Sequence, residues 1–148
     1  TLIENSTGLD SSAIITITYM EEPPVAVNDS SLNNLFGTTV YLTIVADDSL
    51  SDGTLINSLG DITVDIDLSM PGIQNALNVP GQGDWTYNPA TGDVSFEPEV
   101  GFNGNPDAIT YQLIENQTGL SDTAEIVITY LPEDCILICV PVQVMKVN

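Results

Sequence analysis

The chain contains no arginine and no histidine, and Lys146 is its one cation against 21 carboxylates, giving a formal net charge of −20. A nucleic-acid partner is excluded, because nothing here can displace counterions from a phosphate backbone. Anionic lipid surfaces are excluded on the same ground. Without histidine the commonest general base and metal ligand is missing, and without arginine so is the two-pronged clamp for phosphates and carboxylates. The only cysteines, Cys135 and Cys139, lie close to the C-terminal end, so the bulk of the chain cannot depend on disulfides. No run is both long and apolar enough to span a bilayer. What is present is 43% hydrophobic residues in 148, enough to close one ordinary core with something smaller attached. Screening hides charges from one another beyond about 8 Å at physiological salt, and divalent cations would relieve the remaining repulsion.

An internal repeat sets the organisation. Leu2-Ile-Glu-Asn-Ser-Thr-Gly-Leu9 returns as Leu113-Ile-Glu-Asn-Gln-Thr-Gly-Leu120, and Ala13-Ile-Ile-Thr-Ile-Thr-Tyr19 as Ala124-Glu-Ile-Val-Ile-Thr-Tyr130, always 111 residues on. From Leu2 to Tyr19, 12 of 18 positions are identical. A period of this length is a whole domain, not a solenoid turn. Residues 1–21 are therefore expected to be the closing hairpin of a preceding copy, 22–133 a complete copy, and 134–148 a separate tail. Twenty residues cannot bury a core alone, so we expect the sequence to be the end of a longer protein. Glu21-Glu-Pro-Pro24 gives a short, stiff joint between copies.

Period-two patterning dominates the complete copy. Ile62-Thr-Val-Asp-Ile-Asp-Leu68 alternates throughout, which assigns Ile62, Val64, Ile66 and Leu68 to one face and Thr63, Asp65 and Asp67 to the other. Strands are also expected over residues 39–46, 85–87, 94–96, 108–114 and 123–130. Asn88-Pro-Ala-Thr-Gly92 reads as a hairpin turn, with Pro89 preset for its first position and Gly92 free to take positive φ. Six or seven strands with polar, glycine-rich connections predict an all-β, antiparallel sandwich. Trp85, Phe96, Tyr111, Ile126 and Ile128 are its expected core.

Pro23-Pro-Val-Ala-Val-Asn-Asp29 resembles the opening of cadherin-like repeats in bacterial surface proteins. The stretch from Gly83 to Pro106, with Ala108-Ile-Thr-Tyr111 and Asn116, resembles the CshA-type fibril repeat. The signature is carried by Trp85, Thr91-Gly92, Phe96-Glu-Pro98, Gly101-Phe-Asn-Gly-Asn-Pro106 and Ile109-Thr-Tyr111. The resemblance implies an Ig/cadherin-like β-sandwich repeat of an extracellular stalk or adhesin on the bacterial cell surface, with neighbouring repeats of the same chain as partners.

Asp47-Asp-Ser-Leu-Ser-Asp-Gly53 with Asp29 is the candidate calcium (Ca²⁺) site, since that ion wants six to eight oxygens and a glycine-closed acidic loop can wrap several around it. The ligands would be Asp29, Asp47, Asp48 and Asp52. The same aspartates are also the residues a solvated turn favours. Asp65 with Asp67, and Glu97 with Glu99, are carboxylate pairs of the kind glycoside hydrolysis uses. In a chain with 21 acids they read as exposed strand faces, and no enzyme is expected. Trp85, Tyr87, Phe96, Phe102 and Tyr111 could make a carbohydrate platform, although alternating strands place them in the core.

The tail from Cys135 to Asn148 inverts the composition of everything before it, being apolar, β-branched and free of acid. An unpaired strand of this kind aggregates in water, so it should pair with something. As a strand it would hold its cysteines about 13 Å apart at roughly 3.3 Å per residue, too far for a mutual disulfide. It is similar in outline to the C-terminal signals of type IX secretion. The expected partner is an outer-membrane export or anchoring protein, met by Ile136, Ile138, Val140, Val142, Val144 and Lys146. An extra edge strand on the last repeat is the other reading. The function expected is a non-enzymatic structural and adhesive repeat, or alternatively a filament subunit assembled by strand donation.

Overall fold

The computed structural model describes residues 2–3, 5–8 and 10–132. Two short strands, β1 (Leu2–Ile3) and β2 (Asp10–Ser11), form an antiparallel hairpin, and eight more build the body. These are β3 (Asp29–Asn34), β4 (Val40–Thr43), β5 (Ile62–Asp65), β6 (Ala76–Val79), β7 (Gly83–Asn88), β8 (Asp93–Pro98), β9 (Ile109–Glu115) and β10 (Ser121–Tyr130). They make two four-stranded sheets, β3-β10-β9-β5 and β4-β8-β7-β6. The architecture is the expected all-β sandwich.

Alternation is what joins the sheets. In β7 it buries Gly83, Trp85 and Tyr87, in β8 Val94 and Phe96, and in β10 Ala124, Ile126, Ile128 and Tyr130. Trp85, Phe96, Tyr111 and Ile126 are fully enclosed, as expected. Trp85 packs on Phe96 with ring centroids 4.8 Å apart, and Phe96 meets Tyr130 of the opposite sheet at 6.5 Å. Each fully buried side chain of this size contributes about 1.5–3 kcal/mol through apolar burial. The β7–β8 turn is the one the sequence prescribes: Asn88 O accepts from Thr91 N and Gly92 N, with Gly92 at φ 76°. Gly83 is required for a different reason. A Cβ there would lie 2.9 Å from the Phe96 ring and inside the backbone of Glu97.

Three features depart from the sequence expectations. The strand from Ile62 ends at Asp65, because Asp65 Oδ1 accepts from Asp67 N (3.0 Å) and Gln74 N (3.2 Å) and turns the chain. Leu68 is therefore exposed and does not join the Ile62 face, while Asp65 is buried. Strands β3 and β6 were not expected from the pattern. Finally, β3 and β10 run parallel, with Asp29 opposite Ile126 and Asn34 opposite Tyr130, whereas the other pairings are antiparallel. The sandwich is thus antiparallel except where its first and last strands meet. That exception puts the incoming and outgoing ends of the chain at opposite ends of the sandwich.

Candidate functional site

Asp29 opens β3, and Asp48 sits in the connection after β4. Both are buried, at 9% and 0% exposure. Tyr111, on the inward face of β9, brings them together. Its hydroxyl lies 3.0 and 3.1 Å from the two oxygens of Asp48, 3.4 Å from Asp29 Oδ2, 3.1 Å from Val27 O and 3.3 Å from Ile44 O. A tyrosine hydroxyl supplies one proton. So many acceptors around one donor require a further proton on a carboxyl group, or oxygens are left facing oxygens. Val27 N donates to Asp48 Oδ1 at 2.8 Å, which ties the incoming segment to the cluster.

Electrostatics agrees with this geometry. Burial pushes Asp29 up to about 7, helped by the charges of Asp47 and Asp48 and opposed by the Tyr111 hydroxyl. Burial likewise pushes Asp48 up to about 6, opposed by the hydrogen bonds from Val27 N and Tyr111, while Asp47 and Asp122 add repulsion. Tyr111 itself is driven far above its ordinary range, first by burial and then by Asp48 and Asp29. The cluster is an uncharged or singly charged hub near neutral pH.

Of the four expected metal ligands, the fold brings Asp29 and Asp48 together, with exposed Asp47 close enough to repel both. Asp52 does other work: exposed, it accepts from Thr54 N (2.9 Å) and Thr54 Oγ1 (2.6 Å), and these bonds lower its pKa. Among the described residues no three His, Cys, Asp or Glu side chains are grouped so that they could hold a metal ion. In this arrangement the proton neutralises the cluster. Asp122 was missed in the sequence; its Oδ2 accepts from Ala26 N at 3.0 Å. Tyr111 was read only as a core aromatic, since a hub needs partners that no local pattern reveals.

The carboxylate pairs are also placed by their bonds. Asp67 accepts from Ser69 N at 3.1 Å, continuing the turn that Asp65 begins, so the two do not share a strand face. Glu99 Oε2 accepts from Gly81 N at 2.9 Å. Trp85, Tyr87, Phe96 and Tyr111 are buried and Phe102 packs against them, so these rings form core and not a platform. Ile136, Ile138, Val140, Val142, Val144 and Lys146 lie outside the described residues.

Two Greek-key-sized sheets facing one aromatic core, without a helical layer, define an Ig-like sandwich. The family model described as "Bacterial Ig domain" matches residues 21–129, and the chain belongs to that family. Domains of this family are typically structural and commonly occur in surface or extracellular proteins. Comparison with curated proteins and with solved structures gives no match.

Proposed function

We propose that this chain is a non-enzymatic structural and adhesive repeat from a tandem array on a bacterial cell-surface protein of the CshA-type, with residues 1–21 closing a preceding copy. One observation carries the reading. Every buried position of the 113–130 hairpin (Leu113, Glu115, Ala124, Ile126, Ile128, Tyr130) is matched identically by Leu2, Glu4, Ala13, Ile15, Ile17 and Tyr19, and the six differing positions are all exposed or half-buried. The pairings also coincide at the 111-residue offset: Leu2 with Ser11 and Ile3 with Asp10, against Leu113 with Asp122 and Ile114 with Ser121. A sequence keeps its inward face and lets its outward face vary when both copies fill the same slot. Reading the coding sequence upstream of Thr1 tests this: further copies at the same spacing support an array, and an unrelated sequence there overturns it.

The tail over residues 134–148 is proposed to dock on an outer-membrane export or anchoring protein. Deleting residues 135–148 should then abolish surface display and leave the melting of the repeat unchanged. The reverse pattern would make the tail a strand of the sandwich. Strand donation between chains is favoured by one fact, the exposure of Ile15, Ile17 and Tyr19; concentration-dependent polymerisation of the purified chain would select it. Calcium belongs to the same proposal as a second neutraliser. Once Asp29 and Asp48 lose their protons, they and Asp47 carry like charge at close quarters in a chain whose one cation is Lys146.

A further inference from the structure

We infer that β3 and β10 form a shear clamp through which the repeat carries tensile load. The two strands are parallel neighbours, paired at Asp29–Ile126, Ser30–Val127, Ser31–Ile128 and Asn34–Tyr130. The chain enters at the start of β3 and leaves at the end of β10, so tension on its two ends pulls adjacent strands in opposite directions along their length. Ladder bonds lie across that direction. They are loaded together and must fail together. Where two strands are instead pulled from the same end, the load falls on one bond at a time.

Side chains lash the pair beyond and between the ladder bonds. On the incoming side Asn28 Oδ1 accepts from Glu125 N at 2.9 Å, and Asp122 accepts from Ala26 N. The ladder is interrupted between Ile128 and Tyr130, where Asn33 takes φ 59°. There Thr129 Oγ1 accepts from Asn33 N at 2.9 Å, and Asn34 Nδ2 donates to Thr129 O at 3.0 Å and Ser31 O at 2.9 Å. Leu131 N then donates to Asn34 O at 2.9 Å. Tyr130 passes load onward: its N bonds Asn105 Oδ1 (2.7 Å) and its hydroxyl bonds Thr38 O (2.8 Å). Thr129 and Tyr130 recur as Thr18 and Tyr19 in the N-terminal copy.

The biological use of the clamp rests on the tandem-repeat reading, but the clamp is measurable on this chain alone. The full chain would be pulled in optical tweezers by handles at its two termini. It would then be pulled between the N-terminus and a handle at exposed Gln117, in the β9–β10 turn, with Cys135 and Cys139 changed to serine in both cases. The second geometry pulls from the incoming end only. Unfolding releases about 106 residues between 26 and 131, a step of roughly 300 Å. Terminal pulling should need at least about twice the force of the second geometry. Asn34→Ala should shorten the lifetime at fixed terminal force about tenfold, equivalent to about 1.4 kcal/mol, and change it less than about twofold in the second geometry. Thr129→Val should act in the same sense if Asn34→Ala does not fold. Equal forces in the two geometries, or variants that act equally in both, would overturn the clamp. Failure to find upstream copies would touch only the tandem reading.

Discussion

Residues 13–19 and 124–130 are near copies, yet Ile15 is 86% exposed and Ile126 is 0% exposed. Ile17 and Ile128, and Tyr19 and Tyr130, differ in the same way. Period-two patterning is present in both segments, and only one is a strand. In the second, β9 and β3 supply backbone partners on both sides and the facing sheet supplies Phe96 and Trp85. Pattern therefore states which face is to be buried, and neighbours decide whether it is.

The largest effect expected from breaking this comparison is in the core. Ile126→Ala should cost about 2–5 kcal/mol in urea unfolding of the full chain, while Ile15→Ala should stay within about 0.5 kcal/mol. Equal losses would mean that residues 13–19 are packed in solution.

The next effect is a pH dependence that the N-terminal copy cannot share, since Asp29, Asp48 and Tyr111 all lie in the complete copy. Both aspartates have folded pKa values above the unfolded one, so their contribution is complete below about pH 4 and is lost as pH rises through about 6 and 7. Asp48→Asn should therefore stabilise the chain by about 1–3 kcal/mol at pH 8 and by almost nothing at pH 4. Asp52→Asn, which removes one exposed charge, is the control and should leave the slope unchanged. A flat difference between Asp48→Asn and parent across that range would show that the cluster does not hold protons.

Calcium should act only where protons have left. At about 10 mM, above the ~10⁻³ M dissociation constants of weak extracellular sites, it should stabilise the parent by about 1 kcal/mol at pH 8. At pH 5 it should do nothing, and Asp48→Asn should abolish the gain. Calorimetric scans at the two pH values decide this, and no shift at pH 8 leaves the loop as a plain turn. The smallest effect concerns the one half-buried difference between copies with a partner outside the hairpin. Asp122→Ser, which installs the residue found at position 11, removes the acceptor of Ala26 N and should cost about 0.5–1 kcal/mol. A cost as large as that of Ile126→Ala would mean the incoming segment holds the core in place.

Much of the fold was legible because local chemistry and burial agree. Alternating β-branched and aromatic residues in β7 to β10 announce one apolar face each, and Asn88 to Gly92 can make little except a tight turn. The strand at Asp29-Ser-Ser-Leu-Asn-Asn34 was not legible, because its residues neither alternate nor favour β structure. It is a strand because β10 offers a ladder and because Asn34 and Thr129 bridge the gap where that ladder fails. Leu68 was misassigned for a related reason, since one hydrogen bond from Asp67 N to Asp65 ends a pattern that sequence alone would extend.

By itself the sequence determined an acidic, all-β repeat with a 111-residue period, because composition, period-two patterning and internal identity are properties of the chain alone. It also supplied Asp29 and Asp48 as members of a cluster. Only the tertiary structure decided that the cluster closes on Tyr111 and not on Asp52, and that the first and last strands run parallel. Both depend on which segments meet across more than 60 positions of sequence, and such meetings follow from the packing of two sheets on one core.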